Sequence, residues 1–239
     1  MEETVMAEPP APPASVAAAP TMSAPATLVG VFVRPKATFQ ALAGRPRILA
    51  PVLLLILLQA VLGFVLAQTG VIETDTIAKL EAKGTPQEQI DQVSEFMGGP
   101  MKYIAAVSGA VVFVFALLVS GALLYFMANL MLGARLRYAH YLCVAAYGGV
   151  VGMADQLTRT ALAVSKGTLE VRLGVGAFLG ESLSVPLRML DAMTDPLLLW
   201  ATAIEALGVA VMAKKGFGFG VLAVLPGFVV LLLISAMQR

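Results

Sequence analysis

The stretch Arg34–Gln68, RPKATFQALAGRPRILAPVLLLILLQAVLGFVLAQ, begins with four cations, Arg34, Lys36, Arg45 and Arg47, and then runs from Ile48 to Ala67 without a charge. At 1.5 Å rise per residue, about twenty apolar residues cross the roughly 30 Å hydrocarbon layer of a bilayer, whereas a core helix of a soluble domain seldom stays charge-free that long. The stretch is therefore expected to be a membrane span with a basic approach. Pro35 is placed to start a short helix whose Phe39 and Leu42 lie three apart on one face, Gly44 to end it, and Pro46 to prevent its continuation. Such an amphipathic piece beside a span is expected to lie in the interface plane, apolar face down and cations toward lipid phosphates.

The composition of the chain agrees with a membrane class. Hydrophobic residues make up 59% and charged residues 13%, where a soluble domain carries about a quarter charged residues. A net charge of +1 provides no basic field, so nucleic acid is not an expected partner. One cysteine, Cys143, permits no intrachain disulfide. With His140 as the one histidine there is no ligand set for zinc, and no cofactor or metal is expected.

Residues 1–27 are Ala/Pro-rich and lack an apolar run, which predicts a disordered cytoplasmic tail that cannot bury enough surface to offset its ordering entropy. A secretory signal would need a basic start and a continuous apolar centre. Residues 28–239 read as one all-α membrane domain with spans at about 48–68, 103–132, 139–164, 196–213 and 217–237, an interfacial amphipathic helix on the cytoplasmic side and helical extramembrane loops. Between the first two spans, Ile72, Thr76, Lys79 and Leu80 trace one helix. Thr85-Pro86-Gln87-Glu88 reads as a capping box opening a second. The run 103–132 is too long for an upright span and is expected to tilt or project. Gly148, Gly149 and Gly152, with Ala145, give the third span a small-residue face open to close helix approach. Residues 165–194 are expected to lie on the surface, because Glu181 and Arg188 forbid a plain span, and Asp195-Pro196 supplies cap and first-turn proline to the fourth.

Only charges near span ends orient a polytopic protein. With five spans, Arg34, Lys36, Arg45 and Arg47, then Arg135 and Arg137, then Lys214 and Lys215 all fall on one side, the cytoplasmic one. This predicts a multi-pass membrane protein with its amino terminus cytoplasmic and its carboxyl terminus on the opposite side, the periplasmic one for a bacterial inner membrane.

Three charged residues fall inside expected spans: Asp155 and Arg159 in the third and Glu205 in the fourth. At mid-depth Asp and Arg cost roughly 2.5–3.5 kcal/mol each on insertion scales, so each is expected to face protein or water. Asp155 and Arg159 stand one helical turn apart and can pair with each other. Glu205 has no partner on its own helix and is left either to reach Arg159 across helices or to stay protonated. The three form a candidate intramembrane polar site. No metalloprotease, hydrolase-elbow or phosphate-loop motif is present, so no catalytic residue is assigned.

Three stretches together resemble the Yip-one (Ypt-interacting protein) domain family of five-span membrane proteins. They are Arg34-Pro35 with Thr38-Phe39 and Leu42 ahead of Pro46; the basic turn and re-entry from Gly133 to Tyr147; and Asp195-Pro196 with Trp200, Gly208, a lysine pair and a final apolar run. For eukaryotic relatives the resemblance implies Golgi and endoplasmic reticulum membranes, Rab-type GTPase partners and vesicle traffic. This chain lacks an Asp-Leu-Tyr-Gly-Pro motif in its amino-terminal part and looks more like the bacterial branch, for which the family implies no set activity. The expected function is that of a non-enzymatic multi-pass protein acting through its helices on the lipid bilayer and on protein partners or a second copy of itself. The alternative is a small transporter or channel using Glu205 with Asp155 and Arg159.

Overall fold

The computed structural model describes residues 22–99, 101–179 and 184–237, without the side chains of residues 101, 102, 105, 106 and 236. The expected tail up to residue 21, Glu181 and the carboxyl-terminal Arg239 lie outside the described residues. Within them all regular structure is helical.

The order is α1 (Ala24–Val33), α2 (Pro35–Ala43), α3 (Leu49–Thr69), α4 (Val71–Ala82), α5 (Gln87–Gly98), α6 (Met101–Tyr125, widening into a π turn over Phe126–Met131), α7 (Tyr138–Lys166), a 3-10 turn (Val175–Phe178), α8 (Val185–Thr194), α9 (Pro196–Met212) and α10 (Phe217–Met237). Among the described residues three helices are long and apolar enough to cross a membrane: α3, α6 with its π turn, and α10. A fourth crossing results if α8 and α9, bent by 60° at Asp195, form one broken span. Their outward faces are apolar, with Leu53, Leu57, Val61 and Phe64 on α3, Val107, Val111 and Phe115 on α6, and Val229, Val230 and Leu233 on α10 all exposed. Large apolar side chains facing outward along a whole helix are what a lipid solvent selects.

The centre of the bundle is α7, 29 residues long, with Tyr141, Cys143, Val144, Ala145, Ala146, Tyr147, Val150 and Val151 buried. It carries His140, Asp155 and Arg159 because protein rather than lipid surrounds it, and polar groups there can find partners. Its glycines set how closely neighbours approach. A Cβ at Gly149 would come within 3.1 Å of Leu55 on α3, and one at Gly148 would overlap Glu205 on α9.

Four local expectations turn out differently. The helix after Gly84 begins at Gln87 with Pro86, held extended at φ −56° and ψ 141°, as its cap residue, and no side chain closes a capping box from Thr85. The apolar face of α2 meets protein rather than lipid: Phe39 and Leu42 are fully buried, and the Phe39 ring stands edge-on to Tyr147 at 6.4 Å. The chain already enters this core before residue 28. Ser23 caps α1, and the Thr27 hydroxyl is hydrogen-bonded to the Tyr147 hydroxyl at 2.8 Å. The long second run neither stays regular nor merely projects. Its last turn widens to π geometry, where the Asn129 amide donates to the Leu136 carbonyl at 2.7 Å and Asn129 Oδ1 accepts from the Leu136 amide and the Tyr141 hydroxyl. A π turn accommodates an extra residue in the ladder and re-aims the side chains beyond it, which here ties the connection Gly133–Arg137 onto α7.

Candidate functional site

Asp155 and Arg159 meet as their spacing requires. Arg159 Nε donates to both carboxylate oxygens of Asp155, at 2.8 and 3.0 Å. The guanidinium then uses its remaining edge: Nη1 donates to the Val171 carbonyl at 2.8 Å, and Nη2 forms an ion pair with Asp195. A planar five-donor fork suits this division of labour, which an ammonium could not reproduce.

Asp195 is the second hub. It is fully buried, and its other oxygen accepts from the Leu197 and Leu198 amides at 2.9 and 3.2 Å, so it caps α9 while neutralising Arg159. Pro196 follows at the first helical position, where its missing amide costs nothing. One side chain thus joins the α9 terminus, the far half of α7 and the loop through Val171. The sequence identified Asp195 as a cap and as part of a family pattern but not as the partner of Arg159, which lies 36 residues away.

The loop beyond α7 is fastened by further acids. Asp191 Oδ1 accepts from the Gly176 amide at 2.9 Å, and the Thr194 hydroxyl accepts from the Val175 amide at 2.9 Å. The backbone runs so close to α8 that a Cβ at Gly174 would overlap the Asp191 carbonyl. Asp75, on α4, accepts from the Thr168 hydroxyl and the Leu169 amide at 2.8 and 3.0 Å and pairs with Lys79 at 2.8 Å. Burial pushes its carboxyl up, but those three partners outweigh burial and hold it below the usual carboxylate range.

Glu205 stands apart. It lies ten residues, about 15 Å, along α9 from Asp195, against Gly148 of α7, half-buried and without a hydrogen bond or ion pair among the described residues. Arg159 is occupied elsewhere, so the expected alternative of an Arg159–Glu205 pair does not occur. Cys143 is buried, its thiol 3.7 Å from the Arg47 carbonyl. Among the described residues no group of acids, histidine and cysteine could hold a metal ion.

Two of the basic groups lie on elements that touch each other, the approach to α3 and the turn before α7. Arg34, Lys36, Arg45, Arg135, Arg137, Lys214 and Lys215 are exposed, and Arg47 is half-buried with Nη1 donating to the Met22 carbonyl at 2.6 Å. His140 joins their elements, its Nε2 3.2 Å from the Ala43 carbonyl at the end of α2 and its Nδ1 3.3 Å from the Arg137 carbonyl.

The three stretches singled out in the sequence meet in space. Phe39 of the first packs on Tyr147 of the second and on Gly208 of the third, where a Cβ would come within 2.8 Å of the Phe39 ring. Trp200 stands edge-on to Phe32 of α1 at 5.7 Å.

A helical core with outward apolar faces and an internal ion-pair hub defines a multi-pass integral membrane protein. Residues 29–237 match the Yip1 domain, and the chain belongs to that family. No curated protein and no solved structure matches the chain.

Proposed function

We propose that the chain is a non-enzymatic five-span protein of a bacterial inner membrane, working through contacts of its helices with lipid and with protein partners or a second copy. The observation that carries this reading is the fate of the intramembrane charge. Each guanidinium nitrogen of Arg159 is engaged, by Asp155, Asp195 or Val171, so the candidate polar site of Asp155, Arg159 and Glu205 reads as a structural lock plus one separate acid. A transporter using the three together would need Arg159 free to meet Glu205.

The fifth crossing in this reading is α7. At 29 residues it is about 43 Å long, enough to span, and its lower hydropathy follows from its central position. The contact between the basic approach to α3 and the basic turn before α7 supports the orientation with the amino terminus in the cytoplasm, since positive charge near span ends is retained there. It also supports α2 lying at that face, with the chain ahead of α1 on the same side.

Single cysteines at Gln89 and Lys215 in a Cys143→Ser background test the topology in whole cells. Five spans place the two on opposite sides, and labelling of both from one side rejects the arrangement. Function is tested with Glu205→Gln in cells that depend on the protein. Full abundance and full complementation are expected; loss of complementation at normal abundance would return the transport reading.

A further inference from the structure

A cavity of about 440 Å³ lies where α3 and α6 leave the apolar layer beneath the α4–α5 hairpin, and nothing described so far uses it. Its volume falls in the range of small-molecule sites. Leu66 and Ala67 of α3, Ile104 of α6 and Phe96 of α5 give it an apolar wall, and Gln68 and Glu73 stand at its polar side. The polar groups there are arranged to accept hydrogen bonds. The Gln68 amide nitrogen is used in donating to the Tyr103 hydroxyl at 3.2 Å, which leaves its carbonyl oxygen. Glu73 is half-buried and receives the Ser94 hydroxyl on Oε1 at 2.7 Å, which leaves Oε2. Among the described side chains no lysine or arginine lines the cavity. The surrounding segment from Thr69 to Lys102 holds six acids against three lysines, and Lys79 is already paired with Asp75.

We propose that this cavity is a lipid site that admits part of an acyl chain along Leu66, Ala67 and Ile104 and holds a primary ammonium headgroup against Glu73 and Gln68. The proposal rests on α3 and α6 crossing the bilayer, since this delivers the occupant: a cavity at the end of two spans opens to the lipid beside them. Charge decides which lipid. An anionic headgroup would meet the Glu73 carboxylate with no cation beside it among the described side chains, and a trimethylated ammonium has no N–H to donate to the two acceptors. A primary ammonium satisfies both oxygens, and charge-assisted hydrogen bonds are the strong ones.

The test uses the full chain, purified in a mild non-ionic detergent and titrated with phosphatidylethanolamine, phosphatidylcholine or phosphatidylglycerol of identical acyl chains, with bound lipid counted by native mass spectrometry. The ethanolamine lipid is expected to bind about tenfold more tightly than the other two, the size of one charge-assisted hydrogen bond. Glu73→Gln is expected to remove that preference, and Glu73→Lys to transfer it to the glycerol lipid. Glu88→Gln, on the exposed first turn of α5, serves as control and should leave the preference intact. Equal binding of all three lipids by the wild type, or equal loss in the Glu73 and Glu88 variants, overturns the proposal. Membrane integration itself is read separately by alkaline extraction, so failure at the cavity is distinguishable from failure of the span assignment.

Discussion

Replacing Asp195 tests the lock between α7 and α9 most directly. In Asp195→Asn the side chain keeps its shape and its capping oxygen, and asparagine caps a helix about as well as aspartate. What is lost is the charge and the acceptor that Arg159 used, since the amide nitrogen in place of Oδ2 is a donor. Breaking a buried ion pair by removing one partner costs about 3–5 kcal/mol when the other charge is stranded. Here Arg159 keeps Asp155 and the Val171 carbonyl and is 34% exposed, so the cost falls to about 1–2 kcal/mol, nearer a single charged hydrogen bond. Asp195→Ala also strips the cap from the Leu197 and Leu198 amides, adding about 1 kcal/mol. The expected order of stability is wild type, then Asn, then Ala. Substitution of Arg159 by leucine in the Asp195→Asn background should cost less than the two single changes together, because each change then removes a partner already lost. The chain has a built-in reporter in Cys143, its one cysteine, which is fully buried. Thermal unfolding in detergent is followed by its reaction with a fluorogenic maleimide. If Asp195→Ala unfolds no earlier than Asp195→Asn, or the Asn variant matches wild type, the lock does not bear load and the account of the Asp-Pro motif fails.

Gly220 of α10 is packed so tightly that a Cβ would overlap the Ala206 backbone carbonyl of α9, so Gly220→Ala is expected to destabilise by about 1–3 kcal/mol in the same thiol assay, whereas Gly218→Ala, with open space around it, should be near neutral. Thr27→Val leaves the buried Tyr147 hydroxyl without its partner and is expected to cost about 1–3 kcal/mol; the double change with Tyr147→Phe should recover part of that loss. Asp75 has a depressed carboxyl, so its contribution is present above the ordinary carboxylate value of 3.8 and is lost as pH falls through its lower folded value. Asp75→Asn should therefore be less stable than wild type at neutral pH, and the gap between their unfolding curves should close in acid below that value; a gap that is the same at every pH would show that its charge is irrelevant.

How far the sequence could be read differs from residue to residue. Asp155 and Arg159 were legible because one helical turn separates them and any helix brings them together. Asp195 as the third member was not, since only the packing of α7 against α9 closes a separation of 36 residues. The π turn after Tyr125 left no signal in hydropathy; the nearest hint was Asn129, a polar amide in an apolar run whose buried groups had to find partners. Gln68 and Glu73 looked like an ordinary span end and an ordinary loop acid, and only the roof formed by α5 makes them walls of a cavity.

The sequence by itself determined the solvent and the elements. Charge-free runs long enough for a bilayer, prolines and glycines at helix ends, and cations beside the spans act locally, and local rules suffice to read them. The tertiary structure decided which helix sits at the centre. Hydropathy ranks α3, α6 and α10 first because lipid demands apolar surface of them. The least apolar long helix, α7, is the core, because protein contacts on its faces allow it to carry a tyrosine pair, an ion pair and glycines. The opening stretch shares that lesson: its span was fixed by composition, but its Phe39 and Leu42, readable as a face for lipid, were turned inward once Gly208 and Tyr147 offered a closer fit.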